Sequence, residues 1–222
     1  MSFHISRDRF QYGDIDRLET SKIKYIPNAI TPEKEEGIRK WLKSRTDFKG
    51  GQEETNFRVP RHQVWFDRQK RYFGRGWKNR YPRWESSEYD SFLDSLEMDM
   101  QHFVPVNDST RINSCLINHY RNHQDSIRKH CDSPESFGPE PTILVLSIGT
   151  PRTIIFNKRH FNPENYRSIK LVKNTEPISI RLESRSLLIM SGAAQRHFCH
   201  EVPREEIECG ERYSLTFREY LP

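Results

Sequence analysis

The chain has 222 residues, 34% hydrophobic and 30% charged, which suits one domain with a full core and argues against two. Its apolar residues fall in periodic blocks, unlike those of a disordered polar chain, and no run of them approaches the length that spans a membrane. The net charge of +5 is gathered in one place: Arg58 to Arg83 holds nine Lys/Arg against one acid, Asp67, so this segment carries +8 and the remainder −3.

The first residues, Met1 to Arg9, lack the apolar stretch of a signal peptide. Four cysteines (Cys115, Cys131, Cys199 and Cys209) form no CxxC pair and no disulfide framework. We therefore expect an intracellular protein, cytoplasmic or nuclear, in a reducing compartment, without membrane attachment and acting as a monomer.

Thr31-Pro32 followed by Glu33, Glu35 and Glu36 is a helix start: a capping hydroxyl, a proline in the first turn and acids at the positive end of the dipole. Ile38, Trp41 and Leu42 extend one apolar face to about Arg45. In the basic segment that follows, Trp65, Phe66, Tyr72, Phe73, Trp77 and Tyr81 are interleaved with the cations. Cations that meet phosphates, mixed with rings on which bases stack, describe a nucleic-acid surface, with Arg61, Arg71, Arg75 and Lys78 as the expected phosphate contacts. The competing reading is a solvated basic face over core aromatics. A second helix is expected from about Ser87 to Phe103, where Tyr89, Phe92, Leu93, Leu96, Met100 and Phe103 recur at helical spacing.

From Arg111 the rhythm becomes short and β-like. Ile112 to Tyr120, Thr142 to Ile148, Thr153 to Asn157, Ser168 to Val172, Ile178 to Leu182, Ser186 to Met190 and Tyr213 to Tyr220 are the expected strands. The Ile178, Ile180, Leu182 alternation marks a half-buried strand, whereas Leu187 to Met190 reads as buried on both faces. Ser133 to Pro141 and His160 to Arg167 read as loops. The expectation is a mainly β (α+β) chain. Residues 1–110 would supply supporting helices and a basic, aromatic recognition region, and residues 111–222 a jelly-roll barrel, the whole forming one compact domain.

The chain contains two HxD pairs. His123-Gln124-Asp125 lies in the polar turn Arg121 to Ser126, where asparagine and aspartate are common for turn reasons alone. His130-Cys131-Asp132 follows the resumption of chain direction at Ile127, which better suits ligands on a rigid element. Downstream, His197 and His200 compete for a third position. Two imidazoles and one carboxylate can occupy one face of an octahedral Fe(II), leaving positions for a co-substrate and oxygen. Arg212 and Arg218 lie an even number of residues apart, so a strand points both to one face together with Ser214 and Thr216. A buried guanidinium there calls for a carboxylate, which its planar fork holds bidentately.

Asn118-His119-Tyr120, His130-Cys131-Asp132, Ser186 to Gly192, Arg196 to Pro203 and Arg212 to Arg218 together resemble the AlkB family of Fe(II)/2-oxoglutarate dioxygenases, over about Arg111 to Tyr220. Val59-Pro60-Arg61-His62-Gln63 with Trp65-Phe66-Asp67 looks like the nucleotide-recognition region of those enzymes. Through the spacing from the asparagine-x-tyrosine pair, the resemblance selects His130 and Asp132 over the His123 pair, and it selects His200 over His197. It implies a double-stranded β-helix in which His130, Asp132 and His200 bind iron. Asn118, Tyr120, Arg212, Ser214 and Arg218 would hold 2-oxoglutarate, with Arg212 and Tyr120 on its distal carboxylate and Arg218 near the iron-side carboxylate and Asp132. Two positions depart from the family pattern: Ser214 replaces a usual asparagine, and Ser133-Pro134-Glu135 replaces the acidic residues that usually follow the iron aspartate and read the damaged base.

The implied activity is oxidative demethylation of N-methylated nucleobases in DNA or RNA, of the 1-methyladenine and 3-methylcytosine type, with Fe(II), 2-oxoglutarate and O2. The target base must be flipped out or already single-stranded. Arg61, Trp65, Tyr72, Phe73 and Glu135 are the expected substrate contacts, the aromatics by stacking. A nucleic-acid-binding jelly roll without turnover would not need the triad and both arginines. A 2-oxoglutarate hydroxylase of protein side chains would not need the basic segment.

Overall fold

The computed structural model describes residues 10–13, 20–51, 59–74, 76–78, 81, 84–166 and 168–222. Met1 to Arg9, and Arg58, Arg75, Arg80 and Arg83 of the basic segment, lie outside the described residues. Among the described residues are twelve strands: β1 (Phe10–Gly13), β2 (Thr20–Ile26), β3 (Lys49–Gly51), β4 (Val59–Asp67), β5 (Ser114–Tyr120), β6 (Ile127–His130), β7 (Ile143–Gly149), β8 (Arg152–Lys158), β9 (Ile178–Leu182), β10 (Leu187–Gly192), β11 (Phe198–Val202) and β12 (Arg212–Arg218). They form an eight-stranded sheet in the order β1-β2-β10-β7-β12-β5-β4-β3 and a four-stranded sheet in the order β6-β11-β8-β9. Strands from both sides of residue 110 share the larger sheet, with β2 on β10 and β4 on β5.

Four helices accompany them: α1 (Pro32–Ser44), α2 (Ser91–Gln101) and the single turns α3 (Pro134–Phe137) and α4 (Ala194–His197). Thr31 Oγ1 accepts the Lys34 N–H at 3.2 Å and caps α1 as its sequence implies. The second helix starts four residues later than its apolar spacing suggests. Asp90 Oδ1 accepts the Leu93 N–H at 2.8 Å and caps α2, while Ser87 is held back by its N–H bond to the Trp65 carbonyl at 2.7 Å. Asp90 also accepts the Trp41 indole N–H at 2.7 Å, joining the start of α2 to α1.

Period-2 alternation sorts the strands' side chains onto two faces. On one face of the larger sheet, Phe66, Ile117, Leu146, Leu187, Leu215 and Phe217 pack under Ile38, Leu42, Leu93, Leu96 and Met100 of the two helices. Each such fully buried aliphatic side chain contributes about 1.5–3 kcal/mol. On the other face, Ile143, Val145, Leu188 and Met190 meet Ile154, Phe156, Ile180, Leu182, Phe198 and Val202 of the smaller sheet. Leu187 to Met190 is thus buried on both faces, as expected.

Three expectations need correction. Ser168 to Val172 is not a strand: Leu171 makes one isolated bridge to Arg159, and Ile169 and Leu171 stay over a third exposed because no ladder covers them. The Ser133 to Pro141 loop contains α3. The six expected strands that form are joined by six more among the described residues, because β2, β4, β6 and β11, along with the short edge strands β1 and β3, carry polar or basic residues that mask their alternation. In β4, for instance, Val64 and Phe66 face the helices while Gln63 and Trp65 face away.

Candidate metal and co-substrate site

Antiparallel pairing of β6 with β11 sets His130 opposite His200, their ring centroids 4.3 Å apart. Asp132 follows two residues past the end of β6, with Oδ1 3.8 Å from His130 Nε2. One ligand atom from each of His130, Asp132 and His200 lies within 4.8 Å of the others. His130 Nδ1 is engaged by the Arg128 carbonyl at 2.8 Å, which leaves Nε2 for the centre. The electrostatics suit a cation. Burial pushes both imidazoles down, His200 to about 3, so they stay neutral. Burial alone would raise the Asp132 carboxyl, but its neighbours, the Arg218 guanidinium foremost, outweigh it and hold it below the usual carboxylate range. Buried His200 Nδ1 and Asp132 Oδ2 have no hydrogen-bond partner, although Arg218 Nε forms an ion pair with that oxygen at 2.9 Å. Two neutral nitrogens and an ionised oxygen, convergent and under-satisfied, fit the Fe(II) donor set.

The triad opens into a cavity of about 620 Å³ between the sheets. Arg212, Ser214, Thr216 and Arg218 all line it from one face of β12, while Tyr213, Leu215 and Phe217 face the helices. The β12–β5 register places Arg212 beside Tyr120 and Ser214 beside Asn118. Arg212 is 1% exposed, and burial lowers its pKa to about 10. Its Nη2 donates to Ser147 Oγ at 2.9 Å, and its guanidinium lies 5.2 Å from the Tyr120 ring. Its Nε and Nη1 are buried without partners. A buried cation with two donors to spare is unfavourable until an anion meets it, which fits a 2-oxoglutarate carboxylate.

The competing residues are engaged elsewhere. Asp125 forms an ion pair with Arg121 at 2.7 Å, and His197 Nδ1 meets Ser21 Oγ at 3.0 Å. The expected substrate contacts divide. Phe73 and Glu135 line the cavity, Glu135 from the first turn of α3. Trp65 does not: it is 2% exposed, packs with Leu116, Phe137 and Tyr220, and donates its indole N–H to the Arg71 carbonyl at 3.0 Å. Tyr72 is directed to Glu85 and is absent from the cavity wall.

Arg61 borders the cavity as a brace. Its Nε and the Gln63 amide both donate to Asn118 Oδ1 at 2.8 Å, and its Nη1 donates to the Ser126 carbonyl at 3.0 Å. Arg71 is consumed by Asp67 and by the carbonyls of Tyr220 and Leu221. Arg68 pairs with Glu97 and Asp94. Of the four expected phosphate contacts Lys78 alone is described and exposed, and Arg75 lies outside the described residues.

Trp77, Tyr81 and Trp84 join Phe73 at the cavity. The residue types of Trp77 and Tyr81 marked the segment, but nothing local distinguished them from Trp65. Gly74 makes room for Trp77, since a Cβ there would lie 2.5 Å from its ring. Gln195 and Ser147, which hold Asp132 and Arg212, carried no sequence signal, and Gln63, which holds Asn118, stood out only within the motif that resembles a nucleotide-recognition region.

Comparison with known proteins agrees with this geometry. The human Alpha-ketoglutarate-dependent dioxygenase alkB homolog 3 is 31% identical over 175 residues, covering 78% of this chain and 56% of the relative. DNA oxidative demethylase ALKBH2 of Arabidopsis thaliana is 30% identical over 143 residues, covering 60% of this chain and 45% of the relative. The chain thus spans about half the length of the curated relatives it matches. A solved structure, that of OsALKBH1, shares the fold with a TM-score of 0.55 at 14% identity, covering 89% of this chain and 97% of that one. The family model described as the 2OG-Fe(II) oxygenase superfamily matches residues 22–218, with the triad and both arginines inside the match, and the chain belongs to that superfamily.

Proposed function

We propose that this chain is an Fe(II)/2-oxoglutarate-dependent dioxygenase that removes N-methyl groups from nucleobases of the 1-methyladenine or 3-methylcytosine type in DNA or RNA. The observation that carries this reading is the opening of the partly buried His130-Asp132-His200 cluster and the two inward arginines of β12 into one cavity. The names of the relatives, an alkB homologue and a DNA oxidative demethylase, support it.

Iron with 2-oxoglutarate and O2 supplies the oxidising chemistry that hydroxylates the methyl group, after which the product loses formaldehyde. The chain's residues prepare for it. His130, Asp132 and His200 present neutral nitrogens and a charged oxygen for the metal. Arg212, steadied by Ser147, offers its fork to the distal carboxylate of the co-substrate, with Tyr120 beside it. Arg218 holds Asp132 and borders the same space. Asn118, its oxygen fixed by Arg61 and Gln63, faces the co-substrate from β5. Ile154, Leu182, Met190 and Val202 make the wall apolar and keep water from the reacting centre. Phe73, Trp77 and Glu135 line the same cavity and are the side chains we expect an extruded base to meet.

The test is mass spectrometry of methylated oligonucleotides incubated with the chain, iron, 2-oxoglutarate and ascorbate. The expected result is demethylated base with matching formaldehyde, abolished by His130→Ala. Turnover of 2-oxoglutarate with no methylated base consumed across the panel would overturn the substrate assignment.

A further inference from the structure

Resting on the reading of His130, Asp132 and His200 as an iron site, we propose that Gln195, clamped in place by Arg159, is a positioning residue for Asp132. Asp132 lies beyond the end of β6, where the β6–β11 ladder no longer fixes the backbone. Arg218 holds its carboxylate at 2.9 Å, but an ion pair between two side chains does not set the backbone from which the carboxylate hangs. Gln195 does. Its Oε1 accepts the Asp132 N–H at 2.9 Å, and the residue is 5% exposed, so bulk water does not stand ready to replace it. The other end of the amide, Nε2, meets Met190 Sδ at 3.6 Å, which assigns oxygen to Asp132 and nitrogen to the thioether.

Gln195 sits on α4, a four-residue turn whose N-terminal neighbour Ala193 supplies no side-chain cap. A turn that short does not hold itself. Arg159, 3% exposed, holds it by donating to the carbonyls of Gln195 at 3.0 Å and Arg196 at 3.1 Å, and its backbone N–H donates to the His197 carbonyl at 2.8 Å. The same guanidinium donates to the carbonyls of Tyr166 at 2.7 Å and Ser168 at 2.8 Å. Tyr166 Oη in turn lies 3.5 Å from Ser133 Oγ, next in sequence to Asp132. One planar fork therefore ties both the Gln195 turn and the loop beside Ser133 to the end of β8, and the aspartate is held from its own N–H and from its neighbour. Groups that orient a metal ligand in this way are worth about 10- to 100-fold in metal affinity.

The test uses Co(II) alone, titrated into the metal-free full chain and followed by visible absorption. Gln195→Met keeps the side-chain bulk and removes the oxygen; Gln195→Glu keeps an oxygen acceptor in either protonation state. The expected results are Co(II) binding about 10- to 100-fold weaker in Gln195→Met and largely recovered in Gln195→Glu. Amide exchange at Asp132 should be slow in the parent and faster in Gln195→Met, while the β5 and β12 amides stay protected. Equal Co(II) affinity of parent and Gln195→Met, or no recovery in Gln195→Glu, overturns the proposal. A parent that binds no Co(II) sinks the iron-site reading instead. The Asp132 amide then still decides the Gln195 contact, because unchanged exchange in Gln195→Met overturns it without any metal.

Discussion

Arg212 and Arg71 each lie against a tyrosine ring, 5.2 Å from Tyr120 and 4.4 Å from Tyr220, and they serve opposite ends. Arg71 spends its donors within the protein, on both Asp67 oxygens and on the carbonyls of Tyr220 and Leu221. Arg212 has Ser147 Oγ as its hydrogen-bond acceptor and two buried donors left over. The first is a strut between β4 and the C-terminal residues; the second keeps donors that could meet an anion, the role we propose for it. Among the described cations of the basic segment, Arg61 and Arg68 are likewise engaged by neighbouring side chains. A cation marks a ligand site when its donors outnumber the acceptors the fold supplies, and local charge density does not report that balance.

The sharpest break in this comparison is at the metal centre. Alanine at His130, Asp132 or His200 should abolish both Co(II) binding and 2-oxoglutarate turnover, measured by absorption and by succinate release, while His123→Ala retains both. Because burial lowers the pKa of both imidazoles, Co(II) binding by the parent should persist as the pH falls below about 6.5, where exposed histidines take up protons. Loss of binding near that pH would place the ligands in solvent.

Next in size are the two tryptophans. Trp65→Ala should destabilise the fold by about 3–5 kcal/mol in denaturant unfolding, as expected of a buried core aromatic. Trp77→Ala should leave stability nearly unchanged and weaken oligonucleotide binding by about 1–3 kcal/mol at every salt concentration. The reverse pattern would exchange their roles.

Arg212→Lys keeps the charge but loses the fork, so the 2-oxoglutarate KM should rise by about ten- to a hundredfold, equivalent to about 1.5–3 kcal/mol. Arg71→Lys should leave that KM alone and lower thermal stability instead. An unchanged KM in Arg212→Lys would remove Arg212 from the co-substrate pocket.

The smallest effect is at Lys78. Its replacement by alanine should flatten the salt dependence of oligonucleotide binding by about one unit of slope, whereas Arg71→Ala should not change the slope. A flattened slope in Arg71→Ala would return Arg71 to the nucleic-acid surface despite its ion pair with Asp67.

Much of the site was legible because its signals are local. A strand's two-residue period sends Arg212, Ser214, Thr216 and Arg218 to one face wherever that strand sits, and β12 obeys it. Thr31 caps α1 from three residues away. The HxD pair and the distal histidine came with a family pattern whose order along the chain this structure repeats in the β6–β11 ladder. What sequence by itself determined, then, was the mainly β fold, the capped first helix and the residue types able to hold iron and an organic acid. Tertiary structure alone decided which of those groups are free. Asp132 meets Gln195 across 63 positions, Asn118 meets Arg61 across 57, and Arg71 meets the Tyr220 carbonyl across 149. Whether a buried donor is satisfied depends on acceptors that only the folded chain brings within hydrogen-bond distance. No spacing along the sequence records that.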